Sequence, residues 1–419
     1  MSRWQCARLE QLCDITSSKR IYARELCSAG VLFYRSKEIL EKLAGQEGPS
    51  NPLFISEERF QAILRQTGAP IQGDLLLTSR GTLGAPYIVT KSDRFHFADG
   101  NLTWFRNFKG LDSTYLKYYF LSPAGKAELM RCVIGSSQPA YTITALKKIT
   151  LPLPPLPIQR RIVDILSAYD GLIENNQRRI KILEEMARSL YREWFVLFRF
   201  PGHENVKMVP SSLGRIPQGW EIRPLGDFVQ FKSGFAFKSG TFSADGEHRL
   251  VTIKNVQEGL FNPECDSRMK ELPDNLPPHC FLENEDILLS LTGNVGRVCL
   301  VYDGPFLLNQ RVAKLAPTES MDWTLTYCMF RETDMRVKLE QLSNGVAQQN
   351  LSPVLASMME VAIPSRELRE CFSALVDVMI KRVVQFHSAI SNLRRTRDLL
   401  LPRLLSGELG VERIRVSER

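Results

Sequence analysis

Pro154-Pro155-Leu156-Pro157-Ile158-Gln159-Arg160-Arg161-Ile162-Val163-Asp164-Ile165-Leu166 opens a stretch, ending at Trp194, from which the rest of the fold can be read. Apolar residues recur every seven positions at Ile162, Tyr169, Leu183 and Leu190, with Asn176 in the same series. A second series four residues on holds Leu166, Ile173, Ile180, Ala187 and Trp194. That 3-4 alternation is the seam of a coiled coil, broken only by Gly171. Adding 210 to each number gives a second seam. Its first series is Phe372, Met379, Phe386, Leu393 and Leu400, and its second is Val376, Val383, Ile390, Arg397 and Leu404.

Two such helices can each be a core helix of a separate domain, or can pack on each other as an antiparallel intramolecular coiled coil. The identical offset along the whole seam favours the second. Asn176 would then face an apolar position, where a buried Asn costs stability but sets register.

The repeat extends beyond the helices. Trp4 and Leu9 match Trp220 and Leu225 at offset 216. Asp74-Leu75-Leu76-Leu77-Thr78-Ser79 matches Asp286-Ile287-Leu288-Leu289-Ser290-Leu291 at offset 212. Each run reads as a buried strand leading into a Gly-x-x-Gly turn, Gly81–Gly84 and Gly293–Gly296. Residues 112–120 match 322–330 as a helix, and Gly135–Gln138 matches Gly345–Gln348, both at offset 210. Offsets that fall from 216 to 210 and then hold are those of a duplicated module with small loop insertions, too long a period for a solenoid. Short strands, glycine turns and a few helices make the expected class α+β: two similar domains joined by two long antiparallel coiled-coil helices. Pro201-Gly202 and residues 210–217 read as the linker into the second half.

At 419 residues the chain has ample length for two or three cores. A net charge of +8 permits a polyanionic partner without requiring one. The nine cysteines form no CxxC pair and no metal-ligand spacing, so free thiols in a reducing cytoplasm are expected. No apolar run approaches the ~20 residues of a membrane span. Phosphate-binding and dinucleotide-binding glycine loops are absent from the sequence, as is the Asx-Pro-Pro-aromatic tetrapeptide of adenine methyltransferases. The five histidines show no triad or metal spacing. Glu283-Asn284-Glu285-Asp286 reads as a solvated turn before a strand, with Asp286 structural like its repeat partner Asp74. These absences point to a binding subunit with no catalytic residues, no metal and no cofactor of its own.

Residues 147–167, from Lys147-Lys148-Ile149-Thr150-Leu151-Pro152 onward, then Asp170-Gly171-Leu172-Ile173-Glu174-Asn175-Asn176 and Tyr191-Arg192-Glu193-Trp194-Phe195, resemble the specificity subunits of type I restriction–modification systems. Ser212-Leu213-Gly214, Ile216-Pro217 and Gly219-Trp220 resemble the start of that family's second recognition domain, and Leu400–Leu409 its C-terminal ending. The first domain departs from the pattern at Tyr141-Thr142-Ile143, where the second keeps Gln349-Asn350-Leu351-Ser352. The resemblance implies target-recognition domains at 1–153 and 201–365, a spacer helix at 154–200, a second helix at 366–405 and a tail at 406–419. It also implies that each domain reads half of a bipartite site in double-stranded DNA. Two modification subunits carrying S-adenosylmethionine would dock on the helices, and motor-nuclease restriction subunits would join that core. A helix of about 40 residues is ~60 Å long, enough to span adjacent major grooves ~34 Å apart.

Base reading needs donors and acceptors on protruding loops. The candidates are Ser79, Arg80, Thr82 and Gln138 in the first domain. In the second they are Thr292, Asn294, Arg297, Gln310, Arg311, Gln348 and Gln349. For each of these an ordinary solvated turn is the competing reading. Lys147, Lys148, Lys232 and Lys238 are candidate phosphate contacts, with plain surface lysine as the alternative. Phe195, Phe198 and Phe200 read either as core at the helix end or as a partner-docking patch. The competing function is a protein-interaction scaffold with a duplicated domain and a coiled coil.

Overall fold

The computed structural model describes residues 4–46, 48–243, 245–343 and 349–411. The chain divides into two compact units, Met1–Gly171 with Arg394–Arg419, and Leu172–Leu393.

In the first unit, a four-stranded antiparallel sheet runs in the order Asp14–Thr16, Leu102–Arg106, Leu75–Thr78, Pro86–Ile88. Leu75–Thr78 is buried on both faces, as its unbroken apolar run requires. A second sheet contains the parallel pair Val31–Tyr34 and Phe95–Phe97. The helices Ser113–Leu121 and Pro123–Arg131 follow. Asp112 starts the first of them by accepting hydrogen bonds from the amides of Thr114 (2.8 Å) and Tyr115 (3.1 Å).

The second unit repeats the plan. Its antiparallel sheet runs Val229–Ser233, Val312–Pro317, Ile287–Ser290, Val298–Leu300. Its second sheet has the parallel pair His248–Val251 and Phe306–Leu308. The helices Trp323–Arg331 and Thr333–Leu342 complete it. The stretch expected to be a plain linker is a hairpin, Met208–Ser211 paired with Gly214–Pro217, closed by the Ser211 hydroxyl on the Gly214 carbonyl.

One long helix spans Leu156–Tyr191 and runs on as a π-helical turn over Arg192–Val196. The other spans Arg366–Leu405. Within the first unit, Ile162 and Leu166 are fully buried in one cluster with Leu401, Leu404 and the partly buried Leu400. Within the second, Ile173, Ile180, Val383 and Ile390 form a cluster bordered by Leu183, Phe386 and Leu393. Tyr191, Trp194 and Phe195 close the seam on Phe372, with ring centroids 4.9–6.2 Å apart. Ala187, Leu190 and Val376 pack in the same core. Low numbers on one helix meet high numbers on the other, so the pairing is antiparallel. Each fully buried seam residue contributes about 1.5–3 kcal/mol.

Four seam positions differ from simple apolar packing. Met379 is only half-buried, and Ile380 with Val384 takes its place in the core, because there the helix also covers Leu325 and Cys328 of the globular body. Tyr169 and Asn176 lie half-buried. Arg397 pairs with Asp170 at 2.6 Å, and the other oxygen of Asp170 accepts the Tyr118 hydroxyl at 2.7 Å.

A side chain in the first turn of each long helix fastens that end within its unit. Gln159 is fully buried; it accepts from the Asp112 amide (2.8 Å) and donates to the Gly110 and Pro154 carbonyls. Its repeat partner, Arg369, instead reaches Asp322 and Glu319. Phe195 and Phe200 are buried and Phe198 packs on Trp220, so these rings belong to the core at the helix end. All nine cysteines are free thiols. Among the described residues no helix is long and apolar enough to cross a membrane.

Candidate nucleic-acid interfaces

In the first unit, three loops separated in sequence are bound edge to edge. The chain turns back after Leu75–Thr78 through Gly81 and Gly84, whose φ values of 78° and 81° favour glycine. The turn closes with the Gly84 amide on the Thr78 carbonyl at 2.8 Å. The Ser79 amide donates to the Asn101 carbonyl (2.7 Å), and the Tyr141 amide donates to the Ser79 carbonyl (3.2 Å). Arg80 and Ala140 form an isolated bridge. The buried Ser36 hydroxyl bonds the carbonyls of both Arg80 and Asn101.

The second unit closes its loops in the same way. Gly293 and Gly296 have φ of 75° and 81°. The Leu291 amide donates to the Arg311 carbonyl (3.0 Å), the Gly293 amide to Gln349 (3.2 Å), and the Leu351 amide to Leu291 (2.8 Å). Tyr141 therefore makes the backbone bond in the first unit that Leu351 makes in the second. The departure in side chain leaves the loop junction intact.

This geometry sorts the candidate residues. Arg80, Thr82 and Gln138 are exposed on the first unit's loops, as are Asn294, Gln310, Arg311 and Gln349 on the second's. Among the described residues, no carboxylate lies within ion-pair distance of Arg80 or Arg311. Ser79 and Thr292 instead point inward. The Ser79 hydroxyl is buried 2.6 Å from that of Thr103, and the Thr292 hydroxyl donates to Asn350 Oδ1 at 3.0 Å. Both brace the loop junction, because a buried hydroxyl must be satisfied internally. Arg297 is half-buried, with its guanidinium on Gln257 Oε1 at 2.5 Å. Gln348 lies outside the described residues. Lys147, Lys148 and Lys238 are exposed and Lys232 is half-buried.

The acidic residues nearby are structural. Asp74 is buried and accepts from the Trp104 indole (2.8 Å) and the Ile71 amide (3.0 Å); burial raises its pKa above the usual aspartate value. Asp286 pairs with Lys314 at 2.6 Å and accepts from the Glu283 amide. Among the described residues no group of three or more His, Cys, Asp or Glu is arranged to hold a metal ion.

The sequence reading missed Asn101, although subtracting 210 from Arg311 lands on it.

The sequence profile described as "Type I restriction modification DNA specificity domain" matches residues 1–185 and 217–365. The chain belongs to this family. It is similar to the "Type I restriction enzyme MjaIX specificity subunit" of Methanocaldococcus jannaschii, 27% identical over 354 residues, which span 82% of this chain and 79% of that protein. It is 23% identical over 330 residues, 65% of this chain and 71% of the other, to the "Type I restriction enzyme HindI specificity subunit" of Haemophilus influenzae. The crystal structure of a type I restriction–modification S subunit from M. genitalium shares the fold, with TM-score 0.60, 18% identity and 96% of each chain covered. As a specificity subunit the protein is a DNA target-recognition component and not itself an enzyme. The scaffold reading is not favoured.

Proposed function

We propose that this specificity subunit reads a DNA target in two separated parts, one by the joined loops of each unit, and directs adenine methylation and restriction to it. The observation that carries this reading is the repeated loop junction. In each unit, loops far apart in sequence are fixed by backbone hydrogen bonds and present exposed Arg, Asn, Gln or Thr side chains from a rigid sheet edge. Arg matches the acceptors of guanine, and Asn or Gln the donor–acceptor pair of adenine. Arg80, Thr82, Gln138 and Asn101 are the reading candidates of the first unit. Asn294, Gln310, Arg311 and Gln349 are those of the second.

The methyl donor S-adenosylmethionine belongs on partner modification subunits, two per specificity subunit, seated on the long helices. Restriction subunits join that core, and the complex works in the cytoplasm. The deciding experiment is co-expression with the methyltransferase subunit encoded beside this chain, followed by mapping of methylated adenines in host DNA. One split motif with a constant gap is the expected outcome. A stable, methyl-donor-binding complex that leaves no new methylation, or methylates without a motif, overturns the reading.

A further inference from the structure

We propose that residues 19–24 of the first unit are a phosphate clamp that grips the DNA backbone next to the reading loops and has no counterpart in the second unit. The inference rests on the DNA-recognition reading above. Lys19, Arg20, Tyr22 and Arg24 are all exposed, Tyr22 by 53%. The guanidiniums of Arg20 and Arg24 each lie 5.6 Å from the centre of the Tyr22 ring. Cations held on an aromatic face lose less freedom on binding than free side chains do.

The local charge is not neutralised. Among the described residues no carboxylate comes within ion-pair distance of Lys19, Arg20 or Arg24. Glu25, the acidic residue that follows the segment, accepts from the Tyr22 amide (2.8 Å) and pairs with Arg59 (2.9 Å). Three like charges on so short a segment repel one another, and a polyanion relieves that repulsion.

The backbone beneath is fixed. Ile21 packs into the core of the second sheet. The Ser18 hydroxyl donates to the Phe97 carbonyl and the Ser17 hydroxyl to Asp99, both at 2.6 Å. The buried His96 donates through Nε2 to the Lys19 carbonyl at 3.2 Å, and burial lowers its pKa below the usual histidine value. These bonds tie the segment to residues 96–101, and Asn101 is bonded in turn to Ser79 at the glycine turn. The clamp is thus a fourth segment on the same junction.

At offset 216 the second unit has Phe235, Ala236 and Lys238 in place of Lys19, Arg20 and Tyr22. Its segment joins the junction by the same route, with the Gln310 amide on the Phe235 carbonyl at 3.0 Å. There, however, Phe237 is buried and Phe235 partly so. One unit packs aromatics where the other displays charge.

The test measures binding of the full chain, assembled with its modification subunits, to random-sequence duplex DNA by fluorescence anisotropy between 50 and 200 mM salt. Each phosphate contact contributes about 0.9 to the slope of log affinity against log salt. The K19A/R20A/R24A variant is expected to lower that slope by about 2.7, so that it loses roughly 40-fold less affinity than the unmodified protein over this fourfold salt range. Each single variant is expected to show about a third of the change, and R20K/R24K to keep the original slope. A control of equal charge loss at the exposed Arg65, Lys91 and Lys126 is expected to leave the slope near its original value. An unchanged slope in the triple and single variants overturns the clamp, as does a control that lowers it equally. Salt-independent binding by the unmodified complex overturns the DNA-recognition reading itself.

Discussion

Replacing Arg369 with Met removes one half of a buried ion pair, and the structure sets both the size and the pH dependence of the loss. Arg369 and Asp322 are almost fully enclosed, and they join the start of the C-terminal helix to the start of the helix Trp323–Arg331. The pair is imperfectly satisfied. Asp322 Oδ1 and Arg369 Nε have no hydrogen-bond partner among the described residues. Burial therefore outweighs the attraction of the guanidinium, and the Asp322 carboxyl is pushed up from 3.8 to about 6. The folded protein holds this proton up to about pH 6, while the unfolded chain releases it near 3.8. Ionisation thus favours unfolding, and this carboxyl's contribution to stability falls as pH rises from about 4 to about 6. Without Arg369 the folded pKa rises further, and the penalty continues to grow above pH 6. R369M is expected to cost about 3–5 kcal/mol at pH 8, the usual cost of stranding a buried charge. For a unit of this size that is a fall of roughly 6–20 °C in melting temperature. At pH 5, where Asp322 is protonated in both proteins, the deficit should be much smaller. Adding D322N should restore most of the loss at pH 8. The assay is thermal unfolding of both proteins at half-unit pH steps from 5 to 8. A deficit equal at pH 5 and pH 8 would show that lost packing, not a stranded carboxylate, is responsible, and would refute the argument.

F372A removes a fully buried ring in contact with Tyr191, Trp194 and Phe195; a loss of about 3–5 kcal/mol is expected in denaturant titration, and less than 1 kcal/mol would contradict the seam described. R311A should relax the methylated motif at one base position and weaken cognate binding by about 1–3 kcal/mol while leaving random-sequence binding nearly unchanged. Uniform weakening across sequences would make Arg311 a backbone contact instead. Inserting four residues into both long helices, about one turn or ~6 Å, should lengthen the gap in the methylated motif by one or two base pairs. An unchanged gap would mean that the helices do not set it.

Much of the architecture was legible in the sequence because it follows from local periodicity. The seam residues Ile162, Leu166, Ile173 and Ile180 recur at the helical repeat, and burial of one face follows wherever a second such face exists. Leu75–Thr78 and Ile287–Ser290 read as buried strands because an apolar run between polar turns has nowhere else to go. The duplication made each reading a check on the other. What the sequence left open depended on which distant groups meet. Ser79 and Arg80 are neighbours and both have polar side chains, yet one is sealed against Thr103 and the other faces solvent, because successive residues of a strand edge point to opposite sides. Asn101 joined the site through a backbone bond from a residue 22 positions away in sequence and a hydroxyl bond from one 65 positions away. Gln159 and Arg369 occupy the same repeat position but satisfy their burial differently, one with backbone carbonyls and the other with a carboxylate. The sequence by itself determined the two seams, the paired α+β units and the absence of catalytic motifs, since each is a pattern along the chain. The tertiary structure alone decided which polar side chains brace the loops and which remain outside. That choice is made by desolvation, and desolvation depends on everything packed around a group.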